Sequence, residues 1–388
     1  MRILIVLTYY RPHTSGLTIY AERLAKAFAR RGHSVTVLTS HFRKDLPYDE
    51  IVEGVRIVRV PVLFRLSKGV IMPTIGLMAT RLVREADVIQ LHLPQFDAAG
   101  ISLRGRLSRK PTVVTYHCDL RMPPGWFNRL ANRAITIANH LTATWTHRIV
   151  TYTRDYAEHS QYLQPFMDKV EIIPPPVELP DVSAEDARGY IAKTNPENKR
   201  PVIGMAARFA TEKGVEVLLN AMPAILEKHP QAQVQFAGPY QKIIGEEHYF
   251  QRLLPTIQKY QQGGNWHFLG ELNQRELTGF YRDLDVLVIP SLNSTEAFGL
   301  VQIEAMMNNV PCVASNLPGV RQPTQIHSMG KVVEIGDSAG LAQAVLEILS
   351  HHEQYRCDPQ EITRQYNPDT IAARYEELFA TLAKEIKS

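Results

Sequence analysis

Residues 290–315 read Pro290-Ser291-Leu292-Asn293-Ser294-Thr295-Glu296-Ala297-Phe298-Gly299-Leu300-Val301-Gln302-Ile303-Glu304-Ala305-Met306-Met307-Asn308-Asn309-Val310-Pro311-Cys312-Val313-Ala314-Ser315. Just ahead of them, Asp285 to Ile289 is a short, β-branched apolar run, the pattern of a buried strand. A polar loop follows, a helix is predicted from Phe298-Gly299-Leu300, and Pro311 to Ala314 predicts the next strand. Strand, loop, helix and strand in that order are the unit of a doubly wound parallel sheet. Two carboxylates mark the turn: Glu296 just before the helix and Glu304 inside it. Helix amino termini leave amides unpaired and carry partial positive charge, which suits phosphate. Gly299 removes the side chain that would keep a phosphate off the backbone. Glu304 lies about 7.5 Å further along the axis, a span that fits a diphosphate and the ribose behind it. Glu296 is left at the mouth to meet whatever the diphosphate carries.

The run Glu296-Ala-Phe-Gly-Leu-Val-Gln-Ile-Glu304-Ala-Met resembles the signature of glycosyltransferase family 4. That resemblance implies an α/β chain of the GT-B fold: two Rossmann-like domains facing a central cleft, with a C-terminal helix crossing back to the first domain. It also implies retaining, metal-independent transfer from a nucleotide-diphosphate sugar, with no cofactor. Phe298, Gly299, Leu300 and Glu304 then fall on the donor, and Glu296 on its sugar. The stretch Arg208-Phe-Ala-Thr-Glu-Lys213-Gly resembles the family's pair of diphosphate-holding cations. Arg208 offers a planar fork and Lys213 a compact charge. Together they would offset the charge on a departing diphosphate, the work a metal does elsewhere. His117, after the predicted strand 112–116, matches the family's active-site histidine, which contacts the donor sugar. Gly16 stands where the family has a glycine that lets the phosphate approach. Base selection is expected from the backbone of Gly270 to Leu272. The candidate catalytic residues are therefore His117, Glu296, Arg208 and Lys213; the donor-binding set is Gly16, Leu272, Phe298, Gly299, Leu300 and Glu304. The chain departs from the family at Leu317 to Pro323, where Gly-Gly-x-Pro-Glu is usual and only Gly319 is kept.

Length and composition agree with this frame. The 388 residues suit two domains, and 45% hydrophobic with 21% charged residues is a globular composition. Three distant cysteines, Cys118, Cys312 and Cys357, argue for a reducing cytoplasm over a disulfide framework. The apolar run Ile3 to Leu7 is too short for a signal peptide, and no stretch reaches the roughly 18 apolar residues of a membrane span. Charge is unevenly spread. Residues 1–173 hold 24 Lys and Arg against 13 Asp and Glu, a net +11, whereas the remainder is at −7. Such asymmetry points to an anionic partner for the front half, a membrane surface or a phosphate-bearing acceptor. No basic stripe with interleaved aromatics marks a nucleic-acid surface. The expected location is the cytoplasm, peripheral at the inner face of the membrane.

In chain order, Arg2 to Thr8 predicts a strand, residues 17–31 a helix and Val35 to Leu38 a strand. No Gly-x-Gly-x-x-Gly accompanies them, which speaks against a dehydrogenase. The segment 61–84 mixes Leu63, Phe64 and Leu77 with Arg65, Lys68, Arg81 and Arg84, and has no acid until Glu85. It reads either as a helix packed on its sheet or as a membrane-docking stretch. Trp126-Phe127 beside Arg129 leaves the same choice of packing, acceptor groove or lipid contact. Pro174 to Pro176 and Pro180, with polar residues 181–200 after them, mark the domain boundary. That assigns 1–178, with a returning helix 368–388, to an acceptor-side domain, and 179–367 to a nucleotide-sugar domain. The alternation then repeats through strands 202–206, 234–237 and 267–269 and helices 247–262, 274–282 and 338–350. Asp283-Leu284-Asp285 has the Asp-x-Asp spacing of metal-dependent transferases, but it ends a helix and starts a strand. The expected activity is transfer of a hexose from a UDP-sugar, or a GDP-sugar, to a glycolipid or polysaccharide precursor. A nucleotide-sugar epimerase of the same architecture and a non-catalytic nucleotide-sugar-binding protein are the alternatives.

Overall fold

The apolar run Arg2–Val6 is the middle of the first sheet, and Ile3 to Val6 are at most 1% exposed. In spatial order that sheet reads Val170–Ile172, Arg148–Thr151, Thr112–Tyr116, Val88–Leu93, Arg2–Val6, Ser34–His41, Val55–Pro61 and Asp49–Val52. All neighbours are parallel except the last pair. Parallel strands need crossovers, and the helices that supply them cover both faces. The computed structural model describes residues 1–66, 69–119 and 126–386, and nothing is described of the side chains of Leu66 and residues 126–131. Lys68 and the side chains of Trp126, Phe127 and Arg129, singled out above, therefore lie outside the described residues.

The chain divides into two units, Met1–Val177 with Gln365–Ser388, and Glu178–Arg364. The terminal helix Pro368–Glu385 belongs to the first unit and packs on the helix Gly16–Arg30. Its Tyr375 hydroxyl bonds Tyr20 at 2.8 Å and Thr115 at 2.9 Å. Phe379 lies against Phe28, and Glu376 accepts from Arg31 at 2.6 Å. The helix begins on Asn367, whose side chain caps the amide of Asp369, with Pro368 in the first turn.

The second sheet runs Trp266–Gly270, Gln233–Ala237, Val202–Ala206, Val286–Ile289, Cys312–Ser315 and Gly330–Val333, all parallel. Its core gathers Phe209, Phe236, Trp266, Val286 and Ile225, among others. The strand order reverses between Val202–Ala206 and Val286–Ile289, the switch point at whose carboxyl end such sheets bind ligands.

Several elements differ from the sequence reading. Residues 184–194 are a helix, not linker; only Ala187 is buried on it, so no apolar stripe marked it, although Ser183 caps it. The segment 61–84 holds a short antiparallel pair, Phe64–Leu66 with Gly69–Ile71, ahead of a helix Ile75–Glu85. The edge strand Asp49–Val52 and the helix Ala98–Leu107 were not foreseen either; the helix has almost no one-sided apolar pattern to read. Among the described residues no helix is long and apolar enough to cross a membrane.

Candidate functional site

Two loops meet at the switch point of the second unit. The first leaves the strand Val202–Ala206 as Ala207 to Gly214, with a single 3-10 turn at Thr211–Lys213. The second leaves Val286–Ile289 as Pro290 to Gly299. They are stitched by backbone: the Leu292 amide donates to the Glu212 carbonyl at 2.9 Å. Gly214 has φ +67°, and a Cβ there would stand 2.0 Å from the Pro290 carbonyl oxygen. Only glycine permits that approach. The Thr211 amide and hydroxyl both donate to Glu246, at 2.9 and 2.7 Å.

This stitching brings Lys213 onto Glu296, residues far apart in sequence. The Lys213 ammonium donates to Glu296 Oε2 in a short, partly exposed ion pair. Glu296 Oε1 accepts the Gly299 amide at 3.1 Å. Arg208 lies in the same loop as Lys213 and donates from Nη2 to Glu212. Two cations and two carboxylates thus share the carboxyl end of the sheet.

The helix after Gly299 is short, Leu300–Met306, and one of the amides expected to face a phosphate is already taken by Glu296. Gly299 is left-handed, φ +76°, a conformation that favours glycine. Phe298 is buried; Leu300 is half-buried. Glu304 is only 6% exposed and accepts the Tyr281 hydroxyl at 2.9 Å. Gln302, read above only as a position within the motif, is the clamp beneath them. Its Nε2 donates to the carbonyls of Phe298, 2.9 Å, and Val320, 2.8 Å, while its Oε1 accepts from Thr324 at 2.7 Å. A polar residue at a buried helical position was the available signal for it.

In the first unit, His117 follows the strand Thr112–Tyr116 and is 6% exposed. Its Nε2 bonds His92 Nδ1 at 2.8 Å and its Nδ1 bonds the Tyr152 hydroxyl, so both ring nitrogens are engaged. The Tyr20 ring meets it edge-on, centroids 5.0 Å apart. Burial holds His92 at about 3 and His117 well below the usual histidine range. The pair is therefore neutral at working pH.

Gly16 is exposed in the first turn of its helix, with Ser15 accepting the Thr18 amide at 3.2 Å. Leu272 is half-buried beyond Gly270, whose φ is +71°. Asp283 and Asp285 are spoken for: Arg200 bonds both, at 2.7 and 3.2 Å, and Asp285 also accepts the Val202 amide. A cavity of about 380 Å³ opens beside them, lined by Arg200, His229, Asp285 and His352 at the amino end of the sheet. It does not include the residues at the carboxyl end.

The chain is similar to known glycosyltransferases over both units. A family model described as Glycosyltransferase Family 4 matches residues 14–180, and one described as Glycosyl transferases group 1 matches residues 187–365. The chain is 25% identical to the phosphatidyl-myo-inositol mannosyltransferase of Mycobacterium leprae, over 99% of this chain and 97% of that protein. It is 28% identical to an uncharacterized glycosyltransferase of Methanocaldococcus jannaschii, over 96% of each. Among solved structures, HepE of Anabaena in complex with UDP superposes with a TM-score of 0.76 at 17% identity, covering 98% of this chain and 100% of that one. With one family model on each unit and the GT-B fold in its structural neighbours, the chain is a glycosyltransferase and belongs to family 4.

Proposed function

We propose that the second unit binds a nucleotide-diphosphate sugar, UDP-linked first and GDP-linked next, and that the enzyme passes its hexose to a membrane glycolipid or polysaccharide precursor with retention and without a metal. The observation that carries this is the Lys213–Glu296 pair, with Arg208 in the same loop, at the carboxyl end of the switch-point strands. Arg208 and Lys213 suit a diphosphate, and Glu296 suits the hydroxyls or the developing positive charge of the sugar attached to it. Glu304, fixed by Tyr281, suits the ribose. Glu296, held by Lys213 and by the Gly299 amide, is read as steadying the sugar and not attacking it, so transfer is taken to follow a front-face route and not the two-step retaining one. In the front-face route the bond from the anomeric carbon to the phosphate oxygen breaks as the acceptor oxygen bonds the same face. The acceptor's proton passes to the departing phosphate oxygen.

The HepE structures with UDP and with UDP-glucose support a UDP-sugar. The relative named phosphatidyl-myo-inositol mannosyltransferase supports a lipid acceptor and makes mannose the second choice of sugar. Thermal melting with UDP, GDP and ADP tests the reading. A ligand at 100 times its Kd stabilises the folded state by about 2.7 kcal/mol, so one nucleotide should raise the midpoint and Lys213→Ala should abolish the rise. Equal, undisplaced midpoints with all three would end the proposal. Labelled UDP- and GDP-hexoses incubated with membrane lipid then separate transfer from epimerisation and from mere binding.

A further inference from the structure

At the carboxyl end of the second sheet each cation is already held by a carboxylate of the chain itself. Arg208 is held by Glu212 and Lys213 by Glu296, so the four groups sum to zero charge. A diphosphate arriving there meets a neutral cluster, and its attraction to the cations is weakened while the carboxylates stay paired. The two carboxylates differ in what else holds them. Glu296 is fixed from both sides, by the ammonium of Lys213 and by the Gly299 amide at 3.1 Å. The Glu212 side chain makes its one hydrogen bond, among the described residues, to Arg208. The backbone of Glu212 is pinned: its carbonyl takes the Leu292 amide at 2.9 Å, while neighbouring Thr211 is tied to Glu246. The loop therefore stays in place while the Glu212 side chain is free to swing. Arg208 is likewise partly open, 37% exposed against 19% for Glu212, so an incoming anion reaches the guanidinium from solvent.

We propose that Glu212 is an internal occupant of the diphosphate's place on Arg208: it holds the guanidinium in the empty enzyme, is displaced by the donor, and returns to help expel the nucleoside diphosphate product. This rests on the reading that Arg208 and Lys213 grip a diphosphate. Its physical basis is competition. Glu212 takes the Nη2 of Arg208, and a phosphate oxygen that seeks the same N–H has to displace it. Glu212 then sets the donor affinity and selects for ligands with enough negative charge to displace it. A diphosphate qualifies, and a nucleoside without phosphate has nothing with which to compete.

Calorimetric titration with UDP, with inorganic pyrophosphate and with uridine tests this on the full chain, comparing wild type, Glu212→Gln, Arg208→Gln and the double variant. Glutamine keeps the shape and removes the charge. Glu212→Gln is expected to bind UDP and pyrophosphate about 1.5- to fivefold more tightly, in the range set by releasing one partly exposed ion pair, with slower dissociation of UDP and unchanged uridine binding. The gain should vanish in the Arg208→Gln background, because Glu212 acts through that guanidinium. If Arg208→Gln weakens UDP while Glu212→Gln leaves it unchanged or weaker, Glu212 merely orients the arginine and the proposal fails alone. If Arg208→Gln binds UDP and pyrophosphate as wild type does, or wild type binds neither, the diphosphate reading fails and the proposal with it. A loss of folding in Glu212→Gln would itself show a structural role, and circular dichroism on each variant reads it.

Discussion

His92 and His117 are buried against each other, and burial keeps both neutral, His92 at about 3 and His117 well below its usual range. Unfolding returns them to water, where each binds a proton below about pH 6.5. Between that pH and the folded value the unfolded chain holds more protons. Stability is therefore full above the window and is lost as pH falls through it. Each histidine contributes a slope of about 1.4 kcal/mol per pH unit there. Asp97 runs the other way: burial raises it to about 6, so its share of stability is lost as pH rises toward that value. Urea denaturation at several pH values below neutrality should give His92→Gln a shallower slope than wild type by about one histidine's share. Parallel slopes would mean that His92 carries its proton in the native state. At this scale the sequence made candidates legible where the chemistry sits within a few residues. Arg208 with Lys213, Glu296 with Glu304, and His117 were named by their match to the family's motifs and by their places after strands. Their partners were not legible. Glu304 meets Tyr281, His117 meets His92 and Tyr152, and Gln302 reaches Val320 and Thr324 only because the fold joins them.

The terminal helix Pro368–Glu385 closes the first unit through one hydroxyl. Tyr375 is 0% exposed and bonds both Tyr20 on the helix Gly16–Arg30 and Thr115 on the strand Thr112–Tyr116. Tyr375→Phe keeps the ring and leaves two buried hydroxyls short of a partner, which costs about 1–3 kcal/mol. Removing Tyr20's hydroxyl as well deletes both ends of one bond. The double variant Tyr20→Phe/Tyr375→Phe should therefore lose less than the sum of the singles in urea unfolding. Strict additivity would mean that the two hydroxyls do not support each other. This helix was legible because its apolar stripe repeats at helical spacing, and so were the parallel strands with their unbroken β-branched runs. The elements that escaped lack such a pattern. The helix Ala184–Thr194 buries only Ala187, and the strand Asp49–Val52 lies at an open edge with two carboxylates in four residues.

For the whole molecule, the decisive quantity is how charge divides. Residues 1–173 carry a net +11, while the rest of the chain carries −7. The basic part also leaves large apolar side chains in water: Leu63 is 69% exposed, Phe64 51% and Leu77 77%. Leu77 sits on the same helix as Arg81, itself 76% exposed at its side chain. Apolar side chains that enter a bilayer interface, with cations beside them on anionic headgroups, add their contributions, about 1 kcal/mol for each basic residue near the surface. We therefore expect the protein to sediment with vesicles containing phosphatidylglycerol and to remain in solution with phosphatidylcholine alone. Salt should weaken the association, since surface attraction fades within a Debye length of about 8 Å at physiological ionic strength. Leu77→Gln should weaken it through the apolar part and Arg81→Glu through the charge. Only the second should change the salt dependence. If neither lipid composition nor salt alters the bound fraction, the lipid half of the proposed function falls.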